Sequence, residues 1–195
     1  MRRNVEVPRT PSLATAPKLV CGSGADPLFN FDLSQPVNNQ TATIDGIEVA
    51  WQHFFGDSGF GFQANATFVN GDVGYNLRAD PAVAQFALEG LSDSANAVLI
   101  YEKHGLSARL AYNWRDAFLT TTVYQGQQGL PGFVDAYKQV DLNITYNIND
   151  QFALGLDGIN ITGEGQLIYS RTKQMQWWNA EGDPRWMVTA RYNIQ

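Results

Sequence analysis

Residues 106–115 read LSARLAYNWR and show the clearest periodic pattern in the chain. Leu106, Ala108, Leu110, Tyr112 and Trp114 fill alternate positions, and the residues between them are smaller or more polar. Because successive side chains of a β-strand point to opposite faces, this pattern predicts a strand with one apolar face. Strands of soluble proteins have a typical length of about five or six residues, whereas a tilted strand that crosses a bilayer needs about nine to eleven. The length of this stretch therefore favours a membrane strand.

Six further stretches alternate in the same way. They span residues 44–55, 60–70, 94–103, 138–148, 151–160 and 185–194. The stretch 94–103 is the least regular, because Val98 and Ile100 fall on its otherwise polar face. Aromatic residues gather near strand ends, among them Trp51, Phe60 and Trp186, as in the interfacial girdles of membrane barrels.

The connections between these stretches are alternately short and long. The short ones are residues 55–59, 103–105 and 148–151, and the long ones are residues 71–93, 122–136 and 161–184. Outer-membrane barrels have short periplasmic turns and long extracellular loops. We therefore predict an all-β fold, an antiparallel transmembrane β-barrel segment of seven long strands. The last strand would end in the periplasm and the first would start outside, which predicts the C-terminal part of a larger barrel.

Composition and charge exclude some classes of function. Only 16% of the 195 residues are charged, the net charge is −6, and polarity comes largely from 15 Asn and 14 Gln. An acidic chain of this kind lacks the clustered Lys and Arg that nucleic-acid binding needs, so no nucleic-acid partner is expected. Residues 1–42 contain five prolines and are predicted to be an irregular extracellular loop, ahead of barrel strands in residues 43–195. Cys21 lies in this loop, and a disulfide to a cysteine outside this chain and a free thiol both remain open.

Five short motifs, in order along residues 43–194, resemble those of TonB-dependent outer-membrane receptors. They are TIDGIEVA at 43–50, SAN at 94–96 leading into YEKHG at 101–105, SARLAYNWR at 107–115, the Tyr137, Gln139, Asp141 and NIT (160–162) set, and RYNI at 191–194. In the family the last motif ends in Phe, whereas Ile194 stands there in this chain. The resemblance implies a barrel of about 22 strands in the Gram-negative outer membrane, filled by an N-terminal plug domain. It also implies uptake of a siderophore or an oligosaccharide, energised by TonB with ExbB and ExbD.

The polar face of the predicted strands would then line the lumen and contact the plug. Its members are Glu48, Arg109, Asn113, Arg115, Asp141, Asn143, Arg185 and Arg191. The apolar face would contact lipid and lipopolysaccharide. The predicted ligand contacts are Trp177, Trp178, Gln174 and Gln176, placed in the long loop before the last strand, since exposed indoles suit stacking on a sugar or an aromatic siderophore. No catalytic, metal or cofactor site is predicted, because His53 and His104 have no partner at a motif spacing.

Two other functions fit part of the pattern. A soluble all-β carbohydrate-binding module would show the same alternation, since a sandwich also buries one face of each sheet. A small self-contained outer-membrane barrel would need an eighth strand within residues 1–42. Detergent dependence separates the two membrane hypotheses from the soluble one.

Overall fold

A computed structural model describes residues 3–5, 41–127 and 129–194. Cys21 and most of the predicted extracellular loop lie outside these residues. The described part contains twelve strands and a single 3-10 turn at Gly56–Ser58. The strands are β1 (Arg3–Val5), β2 (Ala42–Phe54), β3 (Phe60–Gly71), β4 (Ser94–Lys103), β5 (Leu106–Arg115), β6 (Phe118–Thr121), β7 (Gly132–Val134), β8 (Tyr137–Asn147), β9 (Phe152–Ile159), β10 (Gln166–Ser170), β11 (Thr172–Ala180) and β12 (Arg185–Tyr192). No helix in the described residues is long and apolar enough to cross a membrane.

Eight strands form one antiparallel sheet in the order β1-β2-β3-β4-β5-β8-β9-β12. All seven predicted long strands are present in it, as β2, β3, β4, β5, β8, β9 and β12, so the predicted all-β class is confirmed. Within the segment predicted to be irregular, Arg3–Val5 pairs with β2 as a short eighth strand. In the described part of the chain β12 pairs only with β9, so this sheet does not close on itself.

The strand register joins the apolar positions into one continuous face. Leu110 of β5 lies directly opposite Leu99 of β4 on one side and Leu142 of β8 on the other. The same face continues through Ile144 and Leu156 to Val188 of β12, whose side chains are paired in turn. Directly opposed residues of antiparallel strands share a face, so the alternating apolar positions of all seven long strands lie on one side of the sheet, with a few apolar residues such as Ile100 and Met187 on the other.

This apolar face is uncovered. Leu99 is 61% exposed and Val188 is 77% exposed. Among the described residues the buried apolar side chains are few, namely Ala42, Ala87, Leu88, Ile100, Leu119, Pro131, Val134 and Ala153. A sandwich would bury this face against a second sheet, whereas a membrane barrel presents it to lipid. The exposure therefore disagrees with the soluble-module alternative.

The tight turns follow from local backbone chemistry. His104 and Gly105 between β4 and β5 have φ angles of 55° and 77°. Two consecutive residues with positive φ are the mark of a type I′ turn, whose twist matches that of the flanking strands. The predicted short connection at residues 103–105 is thus a two-residue hairpin turn.

Residues 71–93 form turns and irregular segments, but the other two long connections contain further strands, and here the sequence prediction was incomplete. They contain β6, β7, β10 and β11, which form a second antiparallel sheet in the order β11-β10-β7-β6. Trp177 and Trp178 accordingly lie in β11 and not in a loop. Strands of three to five residues are too short to show a period, and the β10–β11 pairing is interrupted by register shifts on both sides of Tyr169.

We call the second sheet together with residues 71–93, 122–127 and 129–131 the cap. Leu88, Leu119 and Val134 are buried in it. The N–H of Gly90 donates to the carbonyl of Leu119 at 2.8 Å, which holds residues 71–93 against β6. All three long connections leave the main sheet at the same end, because its strands alternate in direction. The cap therefore stands at one end of the sheet.

Candidate ligand site

The polar face of the main sheet collects every residue predicted to line the lumen. Direct pairing places Arg109 opposite Asn143 and Asn113 opposite Gln139. The same registers put the whole set on one side of the sheet, opposite the apolar face: Glu48, Arg109, Asn113, Arg115, Asp141, Asn143, Arg185 and Arg191. Val98 and Ile100 lie on this polar side, as the sequence indicated, with Ile100 opposite Arg109. That this side faces a lumen stays a prediction.

Polar side chains on this face pair with one another across neighbouring strands. Asn96 Nδ2 donates to Asn65 Oδ1 at 2.8 Å between β4 and β3. Arg109 Nη2 forms an ion pair with Glu102 Oε1 at 3.1 Å between β5 and β4. Both members of that ion pair are more than half exposed, so it contributes at most about 1 kcal/mol to stability. Some polar side chains of this face therefore bind one another across neighbouring strands.

A hydrogen-bond network connects three residues of β8 to the end of β9. The Tyr137 hydroxyl donates to Gln139 Oε1 at 2.9 Å, and Gln139 Nε2 donates to both Asp141 carboxylate oxygens at 2.7 and 2.9 Å. Asp141 Oδ1 also accepts from the backbone N–H of Asn160 at 2.8 Å. These residues share the polar face because they are two apart along a strand. The motif noted in the sequence is therefore one connected network.

Asn160 extends this network into the cap. Asn160 directly follows β9 and has a φ of 53°. This is a left-handed conformation that Asn tolerates better than most residues. Its side-chain amide donates to the carbonyl of Glu164 at 2.9 Å and accepts from the N–H of Glu164 at 3.0 Å. The buried Asn160 thus fastens the segment that leads into β10 to the polar face of the sheet.

A groove of about 550 Å³ lies where the cap meets this face. Tyr137, Gln139 and Asn160 come from the network, and Trp178 of β11 lines the groove with its indole 47% exposed. Three carboxylates and a guanidinium complete the charged lining: Glu164, Glu181, Asp183 and Arg185. The sequence predicts Trp178 as a ligand contact, but no motif or period in it places Tyr137 or Glu164 beside that residue.

The two adjacent tryptophans have different surroundings. The Trp177 ring packs against Tyr124 at 4.7 Å between centroids, and its Nε1 is buried with no hydrogen-bond partner. Trp177 is thus engaged within the cap, and it does not line the groove. Gln174 and Gln176 are exposed on β11 and also lie outside the groove lining. Of the four predicted ligand contacts, the structure brings only Trp178 into a site with other polar groups.

The cap also contains the two clearly shifted titratable groups of the described residues. Lys173 Nζ lies 2.8 Å from Asp135 Oδ1, and this hydrogen bond, reinforced by the charge of Asp135, raises the pKa of Lys173. Burial raises the pKa of the Tyr169 hydroxyl, with Asp135 adding to the effect. Lys173 and Tyr169 therefore both keep their protons at neutral pH. The Lys173–Asp135 contact joins β11 to the end of β7.

The histidines and carboxylates of the described residues form no group of three that could hold a metal ion. His53 packs edge-on against Phe55 at 4.7 Å between ring centroids. Phe60 and Tyr101 pack at the same separation near the same end of the sheet. These aromatic residues therefore lie beside the short turns, at the end opposite the cap, whereas Trp186 lies at the cap end, at the start of β12.

Comparison with known proteins agrees with this architecture. The family model for the TonB dependent receptor-like β-barrel matches residues 9–161. The matched range includes β2 to β9 and the Tyr137–Asn160 network, whereas Trp178 and the closing RYNI stretch lie beyond it. No curated protein and no solved structure matches the chain.

Proposed function

Because this chain belongs to the TonB-dependent receptor-like β-barrel family, we propose that it forms part of the barrel wall of a receptor that imports a scarce nutrient across the outer membrane. The family is one of outer-membrane transport receptors of Gram-negative bacteria and not of enzymes. The nutrient is a siderophore or an oligosaccharide. Uptake is energised by TonB, with ExbB and ExbD, through a plug domain that contacts the polar face.

The two-faced main sheet is the observation that carries this proposal. Its apolar face is exposed from β2 to β12 and would contact lipid and lipopolysaccharide. Its opposite face carries cross-strand polar pairs and a groove of about 660 Å³ that Gln63, Arg109 and Asp141 help to line. A wall between lipid and a wet, plugged lumen requires this division. The remaining strands of the barrel would pair with the open edges of the sheet.

Uptake by intact cells tests the proposal. The gene would be deleted from the source cells, and growth would be measured on ferric siderophores as the iron source and on oligosaccharides as the carbon source. We expect deletion of the gene to abolish growth on one of these nutrients. Short-term uptake of that nutrient by unmodified cells should stop when a proton uncoupler is added. Uptake that survives the uncoupler, or recovery of the protein from the soluble fraction, would refute the proposal.

A further inference from the structure

We propose that the groove between the cap and the polar face binds a neutral oligosaccharide and selects against anionic iron chelates. The groove is defined by Tyr137, Gln139, Glu164, Trp178, Glu181 and Asp183, with Arg185 at its edge. The inference rests on the proposed transport function and names the substrate class that this function left open.

Trp178 supplies the stacking surface. Its indole is 47% exposed, and its backbone is paired with Ile168 of β10. The indole is therefore carried by a strand, and less conformational entropy is lost on binding than for an aromatic on an irregular loop. An exposed aromatic face beside polar groups suits a ligand with one apolar and one polar side, as the C–H face and the hydroxyls of a sugar provide.

The floor of the groove is held in place before any ligand arrives. Tyr137 and Gln139 are joined to each other and to Asp141 by the hydrogen bonds described above. Asn160 fixes the cap segment that carries Glu164 through its two hydrogen bonds to that backbone. The sheet side and the cap side of the groove therefore have a defined relative position, which a ligand that touches both requires.

The charge of the lining separates the two substrate classes. Glu164, Glu181 and Asp183 contribute three negative charges, against the single positive charge of Arg185. Carboxylates accept hydrogen bonds from neutral hydroxyl groups, and such charge-assisted bonds are stronger than neutral ones. A ferric tricatecholate carries net negative charge, and like charges a few ångströms apart repel strongly at a partly desolvated surface. The lining therefore favours a polyhydroxylated, uncharged ligand.

Binding to the intact receptor tests the inference. The receptor would be expressed from its own gene and solubilised in detergent from outer membranes, and dissociation constants would be measured by fluorescence anisotropy. The probes are labelled maltohexaose, xylohexaose and cellohexaose, with an anionic ferric tricatecholate as the competitor. We expect one of the saccharides to bind, and the Trp178→Ala variant to bind it about 10-fold more weakly, as loss of an aromatic stack implies.

Two variants provide the controls. Trp186 belongs to β12, the next strand along the chain, and is 55% exposed on the apolar face of the main sheet. Trp186→Ala should therefore leave saccharide affinity unchanged. Trp178→Phe keeps an aromatic face and should restore part of the affinity. Each variant should be present in the outer membrane in equal amounts and should show the heat-dependent shift in electrophoretic mobility of a folded barrel. A change in binding would then reflect affinity and not assembly.

Several results would overturn the inference. These are no binding of any of the saccharides, competition by the ferric tricatecholate, or a Trp178→Ala variant that binds as tightly as the unmodified receptor. The uptake experiment reports separately on transport. Saccharide binding that depends on Trp178 without uncoupler-sensitive uptake would refute the transport function, whereas siderophore uptake without saccharide binding would refute only the inference.

Discussion

Replacement of Leu110 by Arg probes the apolar face at its most informative point. Leu110 lies four residues after Leu106, the first residue of β5, and is 39% exposed between Leu99 and Leu142. At a rise of about 3.3 Å per residue, this is about 13 Å along the strand, or about 9 to 10 Å along the membrane normal at a tilt near 45°. The apolar band of an outer-membrane barrel is about 25 Å tall, so Leu110 lies within a few ångströms of its middle.

An arginine at that depth destabilises a membrane barrel by about 2–4 kcal/mol. This corresponds to a change of about 30-fold to 1,000-fold in the folding equilibrium. Unfolding of the receptor by urea in phospholipid vesicles measures the free energy directly, and the amount of folded protein in the outer membrane gives an independent reading in cells.

Asn113→Arg is the matched control, because it places the same side chain three residues along the same strand on the polar face. Asn113 lies opposite Asn96 and Gln139, where a charged side chain can remain hydrated. We expect a loss of about 1 kcal/mol or less at this lumen-side position, where substitutions affect selectivity more than stability. Equal tolerance of arginine at both positions, or greater damage at Asn113, would refute the assignment of the two faces.

Three further predictions concern the network and the cap. Asp141→Ala removes the acceptor for a buried backbone N–H and should lower the free energy of unfolding by about 1–3 kcal/mol in the same urea experiment. Arg171 donates to the carbonyls of Gly129 and Leu77 and so ties three cap segments together; Arg171→Gln should speed cleavage of the cap by added protease, with the barrel strands still protected. Lys173 has a raised pKa, so the stabilisation from its contact with Asp135 is complete below the unfolded value of 10.5 and is lost as pH rises through the higher folded value. Cap proteolysis should therefore accelerate above about pH 10.5 with a steepness that Lys173→Met reduces, and identical pH profiles for the two proteins would contradict this.

The long strands could be predicted from the sequence because one physical requirement dominates them. Each must present an apolar side chain at every second position, and this leaves an unmistakable period in a stretch such as residues 106–115. The pairing of Leu110 with Leu99 and Leu142 then aligns the apolar positions of neighbouring strands on one face of the sheet. The register itself depends on turns such as His104–Gly105, whose short length leaves the strands little freedom to slip.

The cap could not be predicted in the same way. Its strands are short, and the interrupted register opposite Tyr169 breaks the alternation that would have identified β11. Trp177 and Trp178 look equivalent in the sequence, yet one packs on Tyr124 and the other lines the groove. What separates them is a local irregularity of the backbone together with aromatic neighbours that are distant in the chain, Tyr124 beside Trp177 and Tyr137 in the groove with Trp178.

The candidate site was predicted only in part for a related reason. Tyr137, Gln139 and Asp141 were noticed as a motif, and their spacing of two places them on one face. Their connection to Glu164 depends on the left-handed conformation of Asn160, which turns its side chain toward the cap segment. A single sequence contains no signal for that conformation beyond the presence of Asn at the end of a strand.

Site-directed spin labelling of β5 in the outer membrane would show whether one face of the sheet contacts lipid. Single cysteines would be introduced at each position from 106 to 115, in a Cys21→Ser background, and the labels exposed to lipid-soluble oxygen and to a water-soluble nickel chelate. We predict high oxygen accessibility at Leu106, Ala108, Leu110 and Tyr112 and low values at the positions between them, with a period of two. Equal accessibility to the water-soluble reagent on both sets of positions would contradict a membrane wall.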